Sequence, residues 1–165
     1  MLKSRIQGKA AVFMDEANLF YTQKMLGWRI SYKKLMDYLK EECGKDVKVY
    51  VFTACNEDNK RERKFVDMLQ INGYIVRSRP IETKTRKRIK GNVDTELAFE
   101  MARVIDQYDT AIVMSGDGDF VTPVQRLKNA GKKVIVISSE NRTSKALIEL
   151  VEFIDFKEFR EKISE

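Results

Sequence analysis

A chain of 165 residues without a single histidine cannot assemble a Ser-His-Asp or Cys-His nucleophile system, and without imidazole or clustered thiolates it has no route to the common zinc sites. Its 31 Lys and Arg against 25 Asp and Glu leave a net charge of +6 and a pI near 9.2, which favours a polyanionic partner, whether nucleic acid, an acidic protein or a membrane surface. The length suits one domain, 1–165, with its own hydrophobic core; no apolar run approaches the ~20 residues of a bilayer span and the N-terminus lacks a signal-peptide profile, so a cytoplasmic protein is expected, with Cys43 and Cys55 reduced and unreactive.

In chain order, AAVFMD at 10–15 reads as a buried strand ending on Asp15. After the candidate cap Ser31, the spacing of Tyr32, Leu35, Met36 and Leu39 predicts an amphipathic helix. VKVYVFT at 47–53 is a second strand, Phe65, Met68 and Leu69 mark a helix, and YIVRS at 74–78 is a third strand. A basic segment, RSRPIETKTRKRIK at 77–90, leads to a helix carrying Val93, Leu97, Met101, Val104 and Ile105. TAIVM at 110–114 is the fourth strand, and SGDGDF at 115–120 the turn out of it. A helix with Phe120, Val124 and Leu127 stops before Gly131, KVIVIS at 133–138 is the fifth strand, EFIDF at 152–156 a short further one, and the last residues a frayed helix. Strand and helix alternate throughout, which predicts an α/β fold: a Rossmann-like, three-layer α/β/α sandwich around a mainly parallel sheet.

Sheets of that kind bind ligands beyond the carboxyl ends of their strands, where the strand order reverses. Asp15 closes the first strand, Asp117 and Asp119 follow the fourth, and Asp94 opens the helix before the fourth. Each has a structural explanation on its own, Asp94 and Asp119 as helix N-caps and Asp117 as an Asx turn. Together they are harder to explain. Two carboxylates ~4 Å apart repel by ~4 kcal/mol at an effective dielectric of about 20, more than capping returns, whereas Mg²⁺ or Mn²⁺ reverses the sign. The chain has no G-x-x-x-x-G-K-[ST] loop and no G-x-G-x-x-G after a strand, and DEANL falls short of the D-x-D-x-T of haloacid-dehalogenase-like phosphatases.

FMDEANLF at 13–20, KGNVDTELAFEM at 90–101 and SGDGDFVTPVQRLKNAGKKVIV at 115–136 resemble, in order and approximate spacing, the three signature segments of NYN domains of the LabA/DUF88 type, within the PIN-like nuclease superfamily. The resemblance implies a PIN-like α/β/α fold and a metal-dependent ribonuclease site, with Asp15, Asp94, Asp117 and Asp119 as catalytic and metal-holding residues around one or two Mg²⁺ or Mn²⁺ ions. It also matches Asn18 and Ser115 to polar positions that orient substrate or brace the turn. Many members have a small residue after the first aspartate; here it is Glu16, which either adds a ligand or faces solvent, and solvent is the expectation.

The basic segment hangs between the third strand and Asp94, where cations hold phosphates without reading bases. Lys90, Arg86, Lys87 and Arg88 are its candidate phosphate-binding residues, and Tyr21 and Trp28 are candidates to stack unpaired bases. The expected partner is therefore RNA, single-stranded or looped, and not a membrane; monomer and homodimer both stay open. Two other readings stand beside the ribonuclease: a module of the same fold that binds RNA or protein with vestigial catalysis, and a metal-dependent phosphatase of small esters, which the basic segment fits less well.

Overall fold

The structure, a computed structural model, describes residues 1–56, 58–80 and 91–165. Six strands form its sheet: β1 (Ala10–Asp15), β2 (Lys48–Cys55), β3 (Ile75–Pro80), β4 (Thr110–Met114), β5 (Lys133–Ser138) and β6 (Glu152–Asp155). Every pairing is parallel, in the order β3-β2-β1-β4-β5-β6. The order reverses between β1 and β4, which lie side by side with Met14 opposite Met114. Their carboxyl ends thus define the switch point at which such sheets bind ligands.

Parallel strands covered on both faces must be apolar on both faces, and β1 shows how the alternation is used. Val12 and Met14 join Val51, Ile112 and Ile137 in one core; Phe13 joins Tyr50, Phe52 and Val113 in the other. The first core is closed by α1 (Glu16–Leu26), α2 (Tyr32–Cys43), α3 (Lys60–Ile71) and α7 (Arg160–Ile163), through Leu19, Leu35, Leu69 and Ile163. The second is closed by α4 (Gly91–Arg103), α5 (Val121–Asn129) and α6 (Lys145–Leu150), through Leu97, Val124 and Leu147. Phe13 is fully buried, stacked on Tyr50 at 5.3 Å and edge-on to Tyr108 at 5.5 Å.

The three-layer α/β/α architecture and parallel sheet follow the sequence expectation, and Ser31 caps α2 as expected, accepting from Lys34 N at 3.4 Å. Two helices do not. Apolar periodicity does not mark α1 and α6, each of which buries little: Leu19 and Thr22 in α1, Leu147 in α6. An apolar stripe is therefore nearly absent from both, and what starts α1 is a cap. β2 and β3 each run two residues beyond the expected ends at 53 and 78, carrying Cys55 and Arg79 to the carboxyl edge. Burial lifts the Cys43 thiol to about 12, in keeping with an unreactive residue.

Candidate functional site

Asp15 is at once the last residue of β1 and the N-cap of α1. One carboxylate oxygen accepts from Asn18 N at 3.1 Å and the other from Ser115 Oγ at 3.1 Å. Ser115, directly after β4 and 1% exposed, also accepts from Asp117 N at 3.2 Å. Asn18 reaches across in return, its Oδ1 accepting from Gly116 N at 3.1 Å. Two segments about 100 residues apart are thus tied together by side chains of both. Burial is the largest influence on Asp15: it pushes the carboxyl above its usual range, the nearby charge of Asp117 pushes the same way, and the bonds from Asn18 and Ser115 oppose.

Asp117 makes the expected Asx turn, its Oδ1 accepting from Asp119 N at 3.0 Å. Asp94 and Asp119 are not helix caps. Asp94 lies inside the first turn of α4, which begins at Gly91, and α5 is preceded by Phe120 with no side-chain cap. Instead Asp94, Asp117 and Asp119 each present a carboxylate oxygen, all within 4.8 Å of one another. Asp94 and Asp117 are half-buried and Asp119 is exposed. Asp15 is more deeply buried than this triplet and feels the charge of Asp117, with both oxygens engaged by Asn18 and Ser115.

The donor set is entirely hard oxygen, without imidazole or thiolate, which suits a hard divalent cation such as Mg²⁺ or Mn²⁺. Among the described residues, neither Asp117 nor Asp119 has a Lys or Arg in ion-pair contact to offset their mutual repulsion.

Glu16 departs from expectation. Because α1 starts immediately after β1, its first turn lies over the end of β2, and Glu16 is half-buried, accepting from Thr53 Oγ1 at 3.4 Å. Lys90, Arg86, Lys87 and Arg88 lie outside the described residues. Of the other cations in the basic segment, Arg77 donates to Glu100 at 3.2 Å and Arg79 to Glu96 at 3.5 Å, which binds β3 to α4. Of the candidate stacking residues, Trp28 is half-buried beside the first core with the Arg160 guanidinium over its ring at 5.6 Å, and Tyr21 is edge-on to Phe20 at 5.6 Å.

One wall of the site was missed in the sequence. The loop after β5 packs onto the acidic turn: Ser144 N donates to Gly116 O at 2.9 Å, and a Cβ on Gly116 would collide with the Arg142 carbonyl and Thr143. A Cβ on Gly118 would lie 3.3 Å from Ser144 Oγ. The signal was available, since ENRTSK follows a strand that neighbours β4, but as sequence it reads as an ordinary polar loop.

The NYN domain family model matches residues 9–158. The low amplitude and bright protein LabA of Synechococcus elongatus is 27% identical over 160 residues, covering 92% of this chain and 86% of that protein. An uncharacterized protein of Methanocaldococcus jannaschii is 32% identical over 80 residues, 44% of this chain and 33% of that one. The crystal structure of a protein of unknown function from Vibrio parahaemolyticus superposes with a TM-score of 0.77 at 23% identity, covering 91% of this chain and 93% of that one, and so shares the fold.

Proposed function

The chain belongs to the NYN domain family, PIN-like proteins that are generally nucleases, and on that premise we propose that it is a metal-dependent ribonuclease hydrolysing phosphodiester bonds in single-stranded RNA. The observation that carries this reading is the convergence of Asp94, Asp117 and Asp119 within 4.8 Å at the end of the sheet where β1 meets β4.

In this reading Asp94, Asp117 and Asp119 hold the divalent cation. When bound, such an ion offsets the charge that builds on the phosphate and lowers the pKa of adjacent water. Asp15 adds negative charge close to Asp117, and its bonds to Asn18 and Ser115 tie the acidic turn to α1. Asp117 orients Asp119 through the backbone bond of the turn. Lys90, Arg86, Lys87 and Arg88, on the segment that enters α4, supply phosphate contacts that hold the strand without reading its bases.

The test is to incubate labelled single-stranded RNA, and separately a generic phosphomonoester, with the protein in Mn²⁺ or in chelator. Cleavage of RNA only with metal is expected. Asp117→Asn removes a metal-holding charge and none of the cations, so it should abolish cleavage and leave RNA binding largely intact. Turnover of the phosphomonoester alone would make the protein a phosphatase; RNA binding without turnover would make it a binding module.

A further inference from the structure

Between α1 and α3, over the carboxyl end of β2, lies a cleft of about 770 Å³, within the ~300–1,000 Å³ of typical ligand sites. Aromatic rings share its walls with charges of both signs: Phe20, Trp28 and Phe65 line it together with Lys24, Arg29 and Arg61 and, in equal number, the acids Glu16, Glu62 and Glu165, of which Glu62 accepts from Asn56 N at 2.6 Å. Such rings are ordinarily taken into a core, yet Phe20 is 42% exposed and Trp28 and Phe65 are only half-buried. Lys24 Nζ stands 4.6 Å over the Phe20 ring. The polar part is anchored: Thr53 Oγ1 donates to Glu16, and Gln23 Oε1 accepts from Ile30 N at 2.7 Å.

Two features choose the occupant. Rings interleaved with cations form the surface that single-stranded nucleic acid uses, bases on the rings and phosphates on the charges. The cleft also lies at the same edge of the sheet as the acidic site: Glu16, which lines it, follows Asp15 in the chain, and Thr53, Ala54 and Cys55 belong to the carboxyl end of β2, the neighbour of β1. We propose that the α1–α3 cleft is a stacking subsite for unpaired bases of the RNA that flank the scissile phosphate, an inference that rests on the ribonuclease reading of the acids. It replaces Tyr21 with Phe20 as the partner of Trp28.

Trp28 is the chain's single tryptophan, so its fluorescence reports on the cleft without any need for turnover. In chelator, a single-stranded oligoribonucleotide should change that fluorescence saturably, and an abasic oligonucleotide of the same length should bind far more weakly. Phe20→Ala should weaken RNA binding about tenfold, the effect of losing one stacked base at the lower end of the range. Arg61→Gln, at an exposed position, should flatten the slope of log K against log salt by ~0.7 if it holds one phosphate of a single strand. RNA that binds while Trp28 stays silent, or an abasic strand that binds as tightly as RNA, would overturn the proposal and leave the cleft to a protein partner. The cleavage assay is a separate readout: a protein that stacks RNA but never cuts it loses the ribonuclease reading and keeps the subsite, and one that cuts RNA with Trp28 silent does the reverse.

Discussion

Asp15 and Ser115 touch at 3.1 Å, yet replacing one should stabilise the protein and replacing the other should not. The Asp15 carboxylate is charged against the preference of its surroundings, since burial and Asp117 outweigh the bonds that favour the charge. An amide there keeps an acceptor for Asn18 N and turns its NH₂ toward Ser115. In chelator at neutral pH, Asp15→Asn should therefore melt higher than wild type, by ~2–4 °C if ~1 kcal/mol of strain is relieved. Ser115→Ala instead leaves a buried carboxylate oxygen without its donor and Asp117 N without its acceptor, at ~1–3 kcal/mol, and should melt lower. Adding Mn²⁺ should narrow or reverse the gap between wild type and Asp15→Asn, because a ligand of the native state stabilises it in proportion to its affinity and the variant has less charge to attract the ion. Thermal melts of the three proteins with chelator and across a Mn²⁺ titration decide the matter; a metal-independent loss of stability in Asp15→Asn would make Asp15 a turn residue and nothing more.

At the level of elements, α4 carries Asp94, and the fold holds that helix to the sheet partly through one acid. Glu100 is 6% exposed and accepts from Arg77 of β3 at 3.2 Å and from Arg103 Nε at 2.9 Å. Bonding to Arg103 and then to Arg77, against the cost of burial, holds its carboxyl below the usual range. A lowered folded value means stability that is fully present above the unfolded pKa of ~4.3 and lost as pH falls through the folded value. Glu100→Gln should thus be less stable than wild type at pH 7, by ~1 kcal/mol once the exposure of both arginines is allowed for, and the difference should begin to shrink only below pH ~4.3 and close as pH falls on through the folded value. Melts of both proteins from pH 7 to pH ~2 test this, and a gap that stays constant over that range would mean that packing, and not charge, secures α4. Arg77 had been legible only as one cation of a basic run, because its partner is 23 residues away and no local pattern pairs them. The helices show the same divide: α2 and α5 were legible from apolar spacing, whereas α1 starts at a local cap, Asp15 on Asn18 N, without an apolar stripe, and the bonds of Asp15 to Ser115 and of Asn18 to Gly116 exist only once β1 and β4 are neighbours.

For the molecule as a whole, the sheet was readable because a strand buried on both faces must be a β-branched or aromatic run, and the switch-point rule then directed attention to the acids at two strand ends. That Asp94 joins Asp117 and Asp119 was legible from the family resemblance but not from the strand pattern, since it depends on how α4 is laid on the sheet; the α1–α3 cleft was not legible, because its rings come from two distant stretches of chain, Phe20 and Trp28 from one and Phe65 from the other. The net charge of +6 adds what geometry does not, a long-range attraction for a polyanion that does not depend on its sequence. Some of the cations are held by acids: Arg77 and Arg79 are bound to Glu100 and Glu96, and Arg5 and Lys133 to Glu152. Arg86, Lys87 and Arg88 stand between β3, which ends at the carboxyl edge, and α4, whose first turn carries Asp94. If they make ~3 phosphate contacts, replacing all three with Ala should flatten the slope of log K against log salt by ~2 units on single strands. The loss of affinity should be similar for unrelated RNA sequences, because phosphate contacts carry no base information. Binding of two unrelated labelled RNAs, measured in chelator at several salt concentrations with wild type and the triple variant, gives both quantities. An unchanged slope would move these side chains away from the bound strand and leave the stacking cleft and the remaining surface charge to hold it; a loss confined to one of the two RNAs would mean that the segment reads bases.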